Sequence, residues 1–192
     1  MPALASVEPE LLQRIHAGDR ELFSSLIQQH SRSVFFVALR FAKGDEALAR
    51  DLVQKTFMKA WSARQSFRGE ASFKSWLLRI CSNLSINELQ RAWRRQEFVP
   101  GEGLSEDFER LAAPSESSFD QLAEREARGY LREAIDLLSP RQRQVALLRI
   151  YEDLSFHEVG EACGISANNA KVTYHHAVRN IRKFLSEKGL AA

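Results

Sequence analysis

The chain has 192 residues, 44% of them hydrophobic and 27% charged, which suits one or two small globular domains and excludes a disordered composition. No apolar run approaches the ~20 residues of a membrane-spanning helix, so no membrane insertion is expected. Net charge is only +2 but unevenly spread: residues 1–96 carry 15 Lys/Arg against 9 Asp/Glu, residues 97–126 carry 2 against 9, and residues 127–192 carry 10 against 7. Two basic segments joined by an acidic strip fit a protein that sets both on nucleic acid, although an acidic soluble linker gives the same pattern.

The opening MPALASVEPELL carries Glu8 and Glu10 and has no basic segment ahead of an apolar core, so it does not read as a secretory signal. Residues 7–16 predict a first helix, ended at Ala17-Gly18-Asp19. A second helix, Glu21 to about Ala42, carries Phe23, Leu26, Ile27, Val34, Phe35, Ala38 and Phe41 at helical spacing. A third, about Glu46 to Ala63, packs Leu48, Leu52, Val53, Phe57, Ala60 and Trp61 and exposes Asp51, Gln54, Lys55 and Lys59.

After the polar turn SFRGEAS, Ser72 is placed to cap a fourth helix. Its Phe73, Trp76, Leu77, Ile80, Cys81 and Leu84 form one apolar face. The opposite face, Arg79, Asn83, Asn87, Gln90 and Arg94, is rich in amides rather than Lys/Glu pairs. Amides carry both donors and acceptors, which is what a base edge or an unstacked base requires. An ordinary solvated helix face has the same spacing. Residues 97–120, with Pro, Gly, Ser and acids but no clean period, read as a linker, and Phe98, Leu104, Phe108 and Phe119 make it more apolar than a plain tether.

The second lobe, 121–192, opens with a helix over about 121–137. Ser139-Pro140-Arg141-Gln142 combines a capping-box pattern with Pro at the first helical position, and Ser155-Phe156-His157-Glu158 is another capping box. The short helix from Ser155 stops at Cys163-Gly164-Ile165, and Ser166 caps a last helix reaching about Leu185. This is the pattern of a helix-turn-helix, with Val159, Ala162, Ile165, Ala170, Tyr174, Ala177 and Ile181 as its core. Asn168, Asn169, Lys171, Val172, Thr173, His175, His176 and Arg179 are left to face outward, a set without an acid that suits phosphates and base edges. The expected fold is therefore all-α: two small helical domains, 1–96 and 121–192, joined by an acidic linker.

Cys81 and Cys163 stand singly inside helical patterns, which argues for buried free thiols rather than a disulfide or metal site, and for the cytoplasm. No cofactor or metal is expected. His16, His30 and His157 are scattered, His175 and His176 splay about 100° apart on a helix, and no phosphate loop or nucleophile motif occurs, so an enzyme is not expected.

The two lobes together resemble an extracytoplasmic-function sigma factor of bacterial RNA polymerase. In the first, the resemblance rests on Gly18-Asp19, on Asp51-Leu52-Val53-Gln54 with Phe57 and Trp61, and on Phe67-Arg68-Gly69 through Phe73, Trp76-Leu77, Ile80, Asn83 and Arg91. In the second it rests on Leu138, Arg141-Gln142-Arg143, Val145, Leu154-Ser155, Glu158-Val159, Gly164-Ile165-Ser166, Lys171 and Ala177. The resemblance implies core RNA polymerase, promoter DNA and an anti-sigma factor as partners. It implies polymerase docking by Asp51, Leu52, Val53, Gln54 and Phe57. It implies that Phe67, Arg68, Arg79, Asn83, Asn87, Arg91 and Arg94 hold the melted minus-ten element. Asn168, Asn169, Lys171, Thr173, His175, His176 and Arg179 would then read the minus-thirty-five element as duplex. Lys55 stands where the family usually has an acid, and the family's frequent Thr-Val-Lys-Ser-Arg is here Asn169-Ala170-Lys171-Val172-Thr173, with His176 in place of a later Arg. Duplex reading is thus expected to depend less on Arg–guanine forks. The competing reading is a stand-alone helix-turn-helix regulator with a sensory first lobe.

Overall fold

The computed structural model describes the backbone over residues 8–95 and 118–190, and the side chains over 8–91 and 127–190. Residues 97–117 of the expected linker, with Phe98, Leu104 and Phe108, and the side chains of Arg94 and Phe119, lie outside the described residues. Eight α-helices are described: α1 (Pro9–Ala17), α2 (Arg20–Phe41), α3 (Glu46–Ser62), α4 (Phe73–Arg95), α5 (Ser118–Asp136), α6 (Pro140–Ile150), α7 (Phe156–Cys163) and α8 (Ala167–Glu187), with a 3₁₀ turn at Arg64–Ser66 between α3 and α4. There is no strand among the described residues. α5 starts slightly earlier than the Pro- and Ser-rich composition before it predicts, within the stretch read as linker.

Most helix starts are fixed by local side-chain caps. Asp19 accepts from Leu22 N at 3.0 Å, and Asp45 from Leu48 N at 2.9 Å. Ser72 Oγ accepts from Ser75 N at 3.1 Å, and Ser166 Oγ from Asn169 N at 3.2 Å. Both predicted capping boxes close, Ser139 with Gln142 and Ser155 with Glu158. Each cap satisfies amide donors that the first turn leaves over and stabilises its helix by about 1 kcal/mol.

In the first lobe α2, α3 and α4 pack on one another, and α1 leans on α2 and the 3₁₀ turn through fully buried Ile15. Val34, Val37, Leu39, Phe41, Leu77 and Leu78 fill the centre, each almost wholly buried. Burying a side chain of this size stabilises by roughly 1.5–3 kcal/mol. The polar groups that share this core are satisfied locally. Thr56 Oγ1 donates to Leu52 O at 2.7 Å and Ser85 Oγ to Cys81 O at 2.8 Å. Burial pushes the Cys81 thiol up to about 12 and the Cys163 thiol up to about 11; both are free and buried, as single cysteines in helical patterns predict.

In the second lobe α5 and α6 join α7 and α8 around Val145, Leu148, Leu154, Val159, Ala162, Ala170, Ala177 and Ile181. Arg143 is buried beneath the α5–α6 turn, donating Nε to Ile135 O at 3.2 Å and Nη2 to Asp136 O. Burial lowers its affinity for the proton, and the Asp136 carboxylate 3.6 Å away opposes that shift. The lobes also touch: α7 packs on α4, and α6 on α2.

Candidate nucleic-acid interface

The turn between α3 and α4 is built on aromatic packing. Phe67 meets Phe73 edge-on at 5.6 Å and Trp76 at 5.2 Å, while Phe23 meets Phe73 at 5.7 Å and Trp61 at 5.1 Å. Such pairs add about 0.5–1.5 kcal/mol each beyond their buried area. Phe67 is only 2% exposed. The resemblance implies Phe67 as a contact of the melted minus-ten element; its burial corrects this, because the ring packs against Phe73 and Trp76 and shapes the turn from beneath.

Around this turn lies a cleft of about 190 Å³, lined by Ser66 to Ala71, Ser75, Trp76, Arg79 and, from α7, Glu161. Arg68 and Arg79 are exposed at it. Sequence reading missed two residues that shape it. His16 Nε2 lies 2.8 Å from Phe67 O and ties α1 to the turn. Arg64 stacks over Trp61, 4.6 Å from the ring, and donates to Trp61 O at 3.1 Å. His16 and Phe67 are 51 residues apart, and no local pattern announces such a pairing.

On α4 the side chains of Asn83, Asn87, Gln90 and Arg91 are exposed, leaving a run of amides open to solvent. Arg91 Nη1 sits 3.7 Å from Glu88 Oε2. On α3, Gln54 is exposed, Asp51, Val53 and Phe57 are half-buried, and Leu52 is 2% exposed. Leu52 is therefore a core residue rather than a surface to dock on. Asp51 pairs with Lys55 at 2.5 Å one turn on, and Met58 is 65% exposed beside them.

The outward face of α8 is as the sequence predicts. Asn168, Asn169, Lys171, His175, His176 and Arg179 are exposed and Thr173 half-buried, with no acid among them. Ala170, Ala177 and Ile181 turn inward. Arg179 Nη2 donates to His176 Nδ1 at 2.5 Å, one turn apart on the exposed face. Among the described residues no cluster of His, Cys, Asp or Glu could hold a metal ion, and no helix is long and apolar enough to cross a membrane.

Residues 26–95 match the family description Sigma-70 region 2, and residues 128–181 match Sigma-70, region 4. The ECF RNA polymerase sigma-E factor of Salmonella typhimurium is 30% identical over 152 residues, which cover 78% of each chain. The ECF RNA polymerase sigma factor SigE of Mycolicibacterium smegmatis is 28% identical over 173 residues, 88% of this chain; this chain spans only 65% of SigE. The sigma factor RpoE of Bartonella quintana, solved in complex with the anti-sigma factor NepR, shares the fold at a TM-score of 0.65 and 22% identity, over 85% of this chain and 96% of that one. The cleft and amide face of α4 thus fall in region 2 and the acid-free face of α8 in region 4: the chain belongs to the extracytoplasmic-function family of RNA polymerase sigma factors.

Proposed function

We propose that the chain directs transcription initiation by binding core RNA polymerase and recognising two promoter elements. It has no catalytic role of its own and acts with the polymerase in the cytoplasm. The observation that carries this reading is the pairing of two unlike nucleic-acid faces on the two matched regions. One is a cleft beside a row of exposed amides; the other is an exposed, acid-free helix of a helix-turn-helix.

The cleft and row suit single-stranded bases, which need a recess and both donors and acceptors. Arg68, Arg79, Asn83, Asn87, Arg91 and Arg94 would serve the minus-ten element, with Phe67 as the floor of the turn rather than a contact. The α8 face suits duplex DNA. Lys171 and Arg179 would hold phosphates, and Asn168, Asn169, Thr173, His175 and His176 would read base edges. Asp51, Val53, Gln54 and Phe57 on α3, with Met58 added, would dock on the polymerase, and Leu52 would support them from the core. Region 2 over most of the first lobe argues against a sensory domain there. An anti-sigma partner is a further proposal, supported by the complex known for the Bartonella relative.

The test is co-purification with core polymerase, followed by run-off transcription on a pool of genomic fragments. Within it, Asn83→Ala/Asn87→Ala separates reading from folding. Ala is the better helix former, so melting temperature and polymerase binding should hold. Strand opening, read by permanganate footprinting, should fall by tenfold or more, as expected when contacts worth about 1–3 kcal/mol each are lost. Normal strand opening would return both asparagines to a solvated surface.

A further inference from the structure

Helix α8 turns a buried stripe, Ala170, Ala177 and Ile181, towards the core of the second lobe. At about 100° per residue, position 172 lies most nearly opposite that stripe: Ile181 is about 180° from it, Ala170 about 160° and Ala177 about 140°. Val172 occupies this position, in the second turn of the helix, and is 46% exposed. Asn168, Asn169, His175 and His176, three and four residues to either side, share its face and are exposed with it. Lys171 flanks them, and α8 carries no acid before Glu187. The outermost point of the helix is thus apolar and ringed by polar groups.

A branched apolar side chain gains little from folding at such a place. Val is a poorer helix former than Ala or Lys, and much of its surface stays in water. In a helix-turn-helix, the N-terminal part of the second helix enters the major groove, and the residue furthest from the domain core reaches deepest. On the floor of that groove the one apolar group is the C5-methyl of thymine, while the other bases present donors and acceptors. Amides beside it suit adenine, which offers N6 and N7 to Asn, so Asn168 and Asn169 match the same kind of base pair. Arg179, whose guanidinium would suit guanine, lies two turns further along and is turned to His176 Nδ1.

Resting on the function proposed above, we propose that Val172 is a specificity-determining residue for the upstream duplex element. Its methyl groups meet the C5-methyl of a thymine in the major groove, and the neighbouring amides of Asn168 and Asn169 take adenine. The element then contains an A·T pair that is recognised by its methyl group as well as by its hydrogen-bonding edge. Removing the methyl groups from either partner removes the same contact.

The experiment uses the holoenzyme formed from the full chain and core polymerase. Run-off transcription on genomic fragments supplies promoters. Each thymine of the upstream element is then replaced in turn by uracil, which pairs identically and lacks only the C5-methyl. Competition binding on duplex DNA reads the affinity. Uracil at one position should weaken the parent holoenzyme about three- to tenfold, the scale set by exposing a methyl group to water. Val172→Ala should weaken binding to the thymine promoter by a similar factor. It should show no further loss on the uracil promoter, because a shared contact is lost only once. Its melting temperature should hold, since Ala is the better helix former at an exposed position. Should Val172→Ala fail to fold by circular dichroism, Val172→Ser, which also removes both methyl groups, takes its place. Indifference to uracil at every position would overturn the proposal, and so would a uracil penalty equally large in the folded variant, or an upstream element without thymine. A pull-down that recovers no holoenzyme would sink the sigma-factor reading and this proposal with it. A holoenzyme that initiates normally yet ignores uracil would overturn the thymine contact alone.

Discussion

Gly160 shows how a single position can set the geometry of the DNA-reading lobe. It lies inside α7, where a Cβ would sit 2.8 Å from Ile165 O and 3.1 Å from Ala167 N. Both obstacles are backbone and cannot swing aside, so Gly160→Ala must push α7 off the turn that leads into α8. A destabilisation of about 1–3 kcal/mol is expected, as for other overpacked sites. Thermal melting should show it, with the loss confined to the second lobe if the two lobes melt separately. At Gly164 the constraint is conformational instead: φ is 66°, and glycine caps α7 in the left-handed region at little cost. The sequence marks Gly164 through its place between two capped helices. It does not mark Gly160, which reads as an ordinary helical residue until the next segment folds back on it.

Among the elements, α8 was legible almost residue by residue. A helix with a buried stripe at Ala170, Ala177 and Ile181 must present everything else, and three- and four-residue spacing is local information. Its prediction follows from charge. If Lys171 is a phosphate contact, Lys171→Ala should weaken binding to all duplex promoters alike and lower the slope of log affinity against log salt by about 0.9. Titration of the holoenzyme on two promoters at several salt concentrations checks this. A change in preference between promoters would instead make Lys171 a base reader. Helix α3 was less legible. Its apolar spacing does not separate Leu52, which is buried, from Val53 and Phe57, which keep part of their surface. That division depends on how deeply α2 and α4 embed the helix.

At the scale of the whole molecule, acid should loosen the fold through His30. Burial holds its imidazole below the ordinary 6.5, the Lys74 cation on α4 acts in the same direction, and Glu152 from the second lobe opposes both. The folded state therefore binds a proton less readily than the unfolded chain. The stability this contributes is fully present above about pH 6.5 and is lost as pH falls towards and through the folded value. Melting temperature should decline between pH 7.5 and 5.5, and His30→Asn should flatten that decline. An unchanged slope in the variant would assign the acid sensitivity to other groups.

The sequence by itself determined the helices, their caps, the two-lobe plan and the two exposed polar faces. Each of these depends on neighbours a few residues away, and periodicity records such neighbours directly. Only the tertiary structure decided what lies between the lobes and beneath the reading turn. Ser82 and Gln144 are 62 residues apart, Lys74 and Glu152 are 78 apart, and no local pattern pairs them. Whether such a residue meets water, DNA or another helix is settled by which helix arrives opposite it. That arrival is governed by packing among distant apolar faces, which leaves no periodic trace at the polar positions it brings together.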